Sequence, residues 1–78
     1  MLDKIKDLLS ENYGVNRADI TENAELIADL GLTSFQLVEI ISELEDMFDI
    51  ETDEEEVTNI VTVKDVIDII EKKIKENE

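Results

Sequence analysis

Residues 29–40 read DLGLTSFQLVEI, the end of a loop followed by the start of a helix. Thr33 and Gln36 have the spacing of a capping box, in which each side chain binds the backbone N–H of the other residue. If Thr33 is the cap, Ser34 is the first helical residue and its hydroxyl is not needed by the backbone. The partial positive charge at a helix N-terminus favours an anionic group such as phosphate at this position. Serine is also an ordinary capping residue, so the pattern alone leaves both interpretations open.

The helix that begins at Ser34 is expected to continue to about residue 48, because apolar residues recur at helical spacing over that range. Its buried stripe is predicted to consist of Leu37, Ile40, Ile41, Leu44 and Phe48. Phe35, Val38 and Met47 lie partly off that stripe.

The segments before this helix predict a first helix and a long loop. Apolar residues at helical spacing indicate a helix over about residues 2–13, with Gly14 as its C-terminal stop. Residues 15–33 show no sustained period, so we expect a loop that packs scattered apolar side chains. Loops of this length inside small domains are uncommon and often functional.

Two helices are predicted after residue 48. The stretch TDEEEVTNI, residues 52–60, indicates a short helix, with Thr52 as its cap and Glu55 completing a capping box. The last helix is expected to begin after Thr62, with Asp65 in its first turn and lysines at its C-terminal end.

The fold class predicted from these segments is all-α. The chain has no proline and no strand-like alternation, and its length suits a single domain. We therefore expect residues 1–78 to form one small four-helix bundle with three longer helices, a short third helix and a long loop between the first two.

The charge of the chain is strongly negative and unevenly distributed. The net charge is −15, and the segment from residue 18 to 63 contains fourteen acidic residues and no lysine or arginine. Such a surface repels nucleic acid and anionic lipid and attracts basic partners. We expect no nucleic-acid binding and no insertion into membranes.

The residue inventory argues against an enzyme. The chain has no cysteine and no histidine, which removes the thiol nucleophile and the side chain best suited to proton transfer near neutral pH. No apolar run approaches the roughly 20 residues that span a bilayer, and the N-terminus does not resemble a signal peptide. A cytoplasmic protein without catalytic activity is the expectation.

The motif around Ser34 resembles the attachment motif of the acyl carrier protein family. In that family Asp-Leu-Gly, one apolar residue and Asp-Ser-Leu open the second helix, which DLGLTSFQLVEI matches closely. FDIETDEEEVTNIVTVKDVIDII resembles the family's third and fourth helices, and MLDKIKDLLSENYGVNRADITENAEL resembles its first helix and the following loop. The resemblance covers essentially the whole chain.

The resemblance implies a carrier that is itself modified. Ser34 would bear a 4′-phosphopantetheine arm, transferred from coenzyme A by a separate magnesium-dependent phosphopantetheinyl transferase. The terminal thiol of the arm would hold an acyl group as a thioester. The carrier, expected to be a monomer, would present that group to acyl-loading and acyl-processing enzymes with basic docking patches. The residues that match the family's partner-binding face are Phe35, Val38, Glu39, Glu45 and Asp46.

Three positions depart from the pattern of the fatty-acid members. Thr33 stands where they usually have aspartate, and Leu37 is apolar where they often have a smaller polar residue near the mouth of the acyl pocket. Thr52 and Asp53 replace an apolar-proline pair that leads into the third helix. A bulky residue at one wall and a lost apolar residue nearby argue against a roomy pocket. The sequence therefore favours a specialised fatty-acid- or polyketide-like carrier of a short, polar or unusual acyl group.

Other functions are less well matched. A carrier of aminoacyl groups, such as D-alanine or peptides, is one alternative, although LGLTS does not fit the Gly-Gly-x-Ser pattern of peptide-synthesis modules. An acidic interaction module of the same fold, never modified at Ser34, is another. A specific calcium site is not indicated, because DIETDEEE lacks the glycine and the ligand spacing of an EF-hand loop.

Overall fold

Four α-helices form most of the computed structural model, which describes residues 1–77. The helices are α1 (Leu2–Asn12), α2 (Ser34–Phe48), α3 (Glu54–Thr58) and α4 (Val63–Glu76), and a short 3-10 helix spans Arg17–Asp19. Residues 1–77 contain no β-strand, and none of the helices in this range has the length and apolarity to cross a bilayer. The predicted all-α, four-helix architecture with a short third helix is confirmed.

The core is aliphatic and is built mainly by three helices. The buried residues of α1, α2 and α4 are Ile5, Leu8, Leu9, Leu37, Ile40, Ile41, Leu44, Val63, Val66, Ile67 and Ile70. The connecting segments add Ile20, Ala24, Leu26, Leu32, Ile50 and Ile60. α3 contributes no fully buried side chain. The long first connection therefore contributes four side chains to the core, while most of its other residues are exposed.

The end of α1 follows the sequence prediction to within one residue. Tyr13 is the C-cap, and Gly14 adopts a left-handed conformation with φ of 69°. This conformation lets the N–H of Val15 donate to the carbonyl of Leu9 at 3.1 Å, a second bond beside the one from the N–H of Tyr13 at 3.2 Å. Gly14 is therefore the predicted stop.

The loop before α2 contains more local structure than its sequence suggests. Asn16 caps the 3-10 helix by accepting the N–H of Ala18 at 3.0 Å. Further along, the N–H of Leu26 donates to the carbonyl of Val61 at 2.9 Å, within an isolated antiparallel bridge between Glu25 and Thr62. This bridge ties the loop to the start of α4 and limits where the chain can enter α2.

The predicted cap of α3 was wrong by one residue. The cap is Asp53, and its N–H donates to Oε1 of Glu56 at 2.9 Å, so Thr52 and Glu55 do not form the capping box. Thr52 is engaged elsewhere: its backbone N–H and its hydroxyl donate to Oε2 of Glu45 at 2.7 and 3.1 Å. This contact between α2 and the following loop fixes Thr52 before the helix begins.

The cap of α4 was predicted correctly. The N–H of Asp65 donates to Oγ1 of Thr62 at 3.2 Å, and the N–H of Thr62 donates to Oδ2 of Asp65 at 3.0 Å. Backbone N–H groups of Thr62 and Val61 hold the pKa of Asp65 below its usual value. Lys73 and Lys75 occupy the last turn of α4, where cations interact favourably with the helix dipole.

Candidate functional site

Ser34 is the first residue of α2, and its side chain is exposed. Thr33 precedes it in an extended conformation, with φ of −92° and ψ of 163°, and is the N-cap. The N–H of Gln36 donates to Oγ1 of Thr33 at 3.0 Å, and the N–H of Thr33 donates to Oε1 of Gln36 at 3.0 Å. The predicted capping box is confirmed. Because Thr33 supplies the capping oxygen, the helix start does not depend on the Ser34 hydroxyl.

The approach to Ser34 is fixed by the Asp-Leu-Gly-Leu segment. Oδ2 of Asp29 accepts the N–H of Glu25 at 2.8 Å, which closes a single turn of chain. Gly31 ends that turn in a left-handed conformation with φ of 73°. Leu32 then enters the core with 4% of its surface exposed. A closed turn on one side and a buried anchor immediately before Thr33 together set the point at which α2 begins.

The electrostatics of the α2 N-terminus suit an attached anion. α1, α3 and α4 each have acidic residues in their first turns, but the first turn of α2 has none. The backbone N–H groups at a helix start carry partial positive charge and have no intrahelical partners. An exposed hydroxyl with no helical role, at this end of a helix, fits a phosphate ester.

The residues predicted to bind partners occupy different environments along α2. Phe35 and Val38 leave 73% and 55% of their surface exposed, so both present apolar area to solvent. Glu39 and Asp46 are exposed. Glu45 is half-buried and its Oε2 already accepts two hydrogen bonds from Thr52, so it differs from the other four.

Two further exposed apolar residues were missed by the sequence analysis. Ile27 and Val61 are 48% and 52% exposed, and they come from segments joined by the hydrogen bond between Leu26 and Val61. Both lie in irregular segments, where no helical period distinguishes an inward residue from an outward one. The available signal was that each follows another apolar residue, Leu26 or Ile60, and adjacent side chains tend to point in different directions. Met47, noted as off the α2 stripe, is 51% exposed.

Leu37 and Thr52, the two positions that bear on the expected acyl pocket, lie in the core and in the loop before α3, respectively. Leu37 is 6% exposed and is packed in the core one turn after Ser34. Thr52 is partly buried and held by Glu45 through two hydrogen bonds. Leu37 therefore fills interior volume, and Thr52 places a polar, hydrogen-bonded group in the loop before α3.

The reactive group that the chain offers at this site is the hydroxyl of Ser34. There is no histidine or cysteine to act as a base or nucleophile. In residues 1–77, no group of three or more potential metal ligands is placed to hold an ion. The Ser34 hydroxyl is exposed to solvent at the first position of α2.

A family model described as the phosphopantetheine attachment site matches residues 3–70. The chain is 39% identical over 71 residues to an acyl carrier protein of Thermotoga maritima, covering 91% of this chain and 88% of that protein. It is also 39% identical over 69 residues to an acyl carrier protein of Syntrophobacter fumaroxidans, covering 88% of this chain and 85% of the other.

The fold agrees with these sequence matches. The crystal structure of an acyl carrier protein from Thermotoga maritima superimposes with a TM-score of 0.88 at 30% identity, covering 97% of this chain and 88% of that one. Both helical architecture and sequence are shared over nearly the full length. The chain belongs to the acyl carrier protein family, whose members are carriers rather than enzymes and bear phosphopantetheine.

Proposed function

We propose that Ser34 is the attachment point of the 4′-phosphopantetheine group and that residues 1–78 act as one carrier domain. The observation that carries this proposal is the free, exposed hydroxyl of Ser34 at the first position of α2, left unused because Thr33 caps the helix. A transferase that binds coenzyme A and magnesium would act on this hydroxyl. Ser34 Oγ would displace adenosine 3′,5′-bisphosphate from the coenzyme A pyrophosphate, lose its proton and become the ester oxygen of a phosphodiester.

When bound, the group supplies a terminal thiol, which a cysteine-free chain lacks and which can carry an acyl group as a thioester. The residues around Ser34 then have three tasks. Thr33 and Gln36 hold the start of α2, Gly31 sets the approach of the loop, and Leu32 anchors that loop in the core. The attachment point therefore sits on a rigid helix end rather than on a freely moving loop.

The partner face is proposed to consist of exposed apolar residues ringed by acids. Phe35 and Val38 supply apolar contact area, and Glu39 and Asp46 attract the basic patches of transferases and acyl-processing enzymes. Glu45 adds its negative charge at the edge of this face, because one of its oxygens already accepts the N–H of Thr52. Each exposed ion pair contributes at most about 1 kcal/mol. Such pairs govern encounter and orientation more than affinity, which suits a carrier that must leave each partner.

The cargo is proposed to be a short, polar or unusual acyl group. Leu37 fills interior volume one turn below Ser34, and Thr52 introduces hydrogen-bonded polar atoms beside the loop before α3. Both features reduce the apolar space into which a long alkyl chain could be drawn.

The attachment is tested by intact-mass measurement after incubation with coenzyme A, magnesium and a broad-specificity transferase, with Ser34→Ala alongside. Addition of one phosphopantetheine to the parent and none to the variant is the expected result. If neither that transferase nor the transferase of the producing cell modifies the parent, the fold would instead serve as an unmodified acidic interaction module.

The cargo is tested by loading the protein with a series of acyl-phosphopantetheines of increasing chain length and measuring Tm. Each methylene buried in the core contributes about 0.8 kcal/mol. We expect the gain in Tm to level off at short chains. A gain that continues to rise through long alkanoyl chains would show that the core accepts them and would contradict the proposal. Loading by an aminoacyl-activating enzyme in place of an acyl-processing one would indicate the aminoacyl alternative.

A further inference from the structure

Two neighbouring residues at the start of α2 are of types that commonly cap helices. Serine is at least as good an N-cap as threonine, so the sequence Thr33-Ser34 offers two possible helix starts. In the structure Thr33 is the cap and Ser34 is helical. If the cap moved by one residue, Ser34 Oγ would accept the N–H of Leu37, and the hydroxyl would be turned toward the backbone.

Gln36 is the residue that favours the observed start. Its Oε1 accepts the N–H of Thr33 at 3.0 Å, a bond that exists only when Thr33 is the cap. A cap at Ser34 would place Leu37 at the corresponding position, and leucine has no side-chain acceptor to return the bond. The reciprocal box therefore adds one hydrogen bond to one helix start and none to the other.

We propose that Thr33 and Gln36 are positioning residues for the modification of Ser34, because they hold the cap at Thr33 and keep the serine hydroxyl free. The inference rests on Ser34 being the attachment point. Neither residue is assigned a chemical role: both act through the conformation of Ser34. Aspartate is a stronger N-cap than threonine, so an aspartate at position 33 would hold the cap with less support from Gln36.

The chain contains a matched control. α4 begins with the same type of box, in which Thr62 and Asp65 exchange two hydrogen bonds, but its first helical residue is Val63, which has no hydroxyl to compete. Loss of the Thr62 cap should therefore cost stability without altering a competing helix start.

The experiment compares Thr33→Val, Gln36→Met, Thr33→Asp and Thr62→Val in steady-state modification by one transferase, at a temperature where all are folded. We expect Thr33→Val to lower kcat by up to about fivefold, because loss of one capping side chain shifts the equilibrium between the two helix starts by about that factor, and Gln36→Met to lower kcat in the same direction. KM should change little, because the docking face is untouched. Thr33→Asp should keep the kcat of the parent, and Thr62→Val should also leave kcat unchanged. Parent-like kcat in Thr33→Val, or equal losses in Thr33→Val and Thr62→Val, would overturn the proposal.

A second readout does not depend on modification. The Cα and Cβ chemical shifts of Ser34 distinguish a helical residue from an extended cap residue. We expect helical shifts in the parent and in Thr33→Asp, and movement toward cap values in Thr33→Val and Gln36→Met. Unchanged helical shifts in both of the latter variants would overturn the proposal. If the parent is not modified at all while the shifts move as expected, the competition is real and the assignment of Ser34 as attachment point is what fails.

Discussion

Tyr13 lies at the end of α1 with its hydroxyl directed at α2, 3.4 Å from Oε1 of Glu43. The second carboxylate oxygen of Glu43 is buried and has no hydrogen-bond partner within the described residues 1–77. Partial burial, followed by the negative charges of Glu43 and Glu39, raises the pKa of Tyr13 above its ordinary value of 10.0. The folded state therefore keeps the phenol proton at a pH where the unfolded chain has lost it. Stability falls as pH rises from about 10 through the folded pKa.

The titration of Tyr13 can be followed directly, because it is the only tyrosine and the chain has no tryptophan. We expect the ultraviolet absorbance of tyrosinate to give a pKa above 10.0 in the folded protein. Glu43→Gln should lower this pKa, since it removes the nearer charge. Glu39→Gln is the matched control and should lower it less. Superimposable curves for the parent and Glu43→Gln would show that the contact between the two side chains is absent in solution.

Asp49 ends α2 in a left-handed conformation, with φ of 55° and ψ of 52°. This conformation strains any residue with a Cβ atom, and the negative charge of Asp49 also lies at the unfavourable end of the helix dipole. We expect Asp49→Gly to raise the free energy of unfolding by roughly 0.5–1 kcal/mol in urea denaturation. Asp49→Asn removes the charge and keeps the Cβ, so it should give only part of the gain. If Asn gave the whole gain, charge rather than backbone strain would be the cause.

α3 is held to the rest of the molecule by ion pairs and by Val57, which is partly buried against the core. It has no fully buried residue, and three glutamates form its first turn. Oε1 of Glu56 accepts the N–H of Asp53 at 2.9 Å and lies 2.9 Å from Nζ of Lys73 in α4. The Asp53 backbone bond, and then Lys73, hold the pKa of Glu56 below its ordinary value of 4.5. This contribution to stability is present above that value and is lost as pH falls through the folded pKa.

The attachment of α3 predicts a local rather than a global effect of Lys73→Met. Loss of the contact with Glu56 should make the amides of α3 exchange with solvent several-fold faster at neutral pH. Lys64→Met is the matched control, because the Lys64 side chain pairs at 3.1 Å with Asp68 inside α4 rather than with a residue of α3. Hydrogen exchange measured by NMR should show accelerated α3 amides in the first variant only. Equal acceleration in both variants would mean that general helix stability in α4, and not the link to α3, sets the exchange rate.

A helix start could be predicted from the sequence where the contacts that decide it join residues close together in the chain. The start of α2 was predictable because Thr33 and Gln36 are three residues apart and no distant group competes for them. The start of α3 was not, because both Thr52 and Asp53 have a glutamate three residues on. The choice was decided by Glu45, seven residues away from Thr52, which binds it from α2. Sequence spacing cannot show which of two suitable cap residues will instead be bound by a side chain of a neighbouring helix.

The long loop and the candidate site illustrate the same limit. The 3-10 helix at Arg17–Asp19 is too short to produce a period, and the bridge between Glu25 and Thr62 joins residues far apart in sequence. Ser34 could be proposed as the attachment point because its motif is contiguous in the sequence. The exposure of Ile27 and Val61 beside buried neighbours could not be predicted, because it depends on how two irregular segments pack together.

The acidic and basic residues are strongly segregated along the chain. The segment from residue 18 to 63 carries fourteen acids and no base, within a chain whose net charge is −15. The folded molecule measures 33 × 23 × 20 Å. The Debye length is about 30 Å at 0.01 M salt and about 8 Å at 0.15 M. At low salt nearly every pair of acids repels across the molecule, whereas at the higher concentration only neighbours do.

We therefore expect Tm to rise between about 0.01 and 0.15 M potassium chloride, because screening relieves repulsion that is stronger in the compact state than in the unfolded chain. Magnesium chloride at equal ionic strength separates two causes. An equal rise would indicate screening alone, and a larger rise would indicate loose association of divalent ions with the clustered carboxylates. A Tm that does not change with either salt would contradict the prediction and would mean that the acids are spread widely enough for their repulsion to be similar in the folded and unfolded chains.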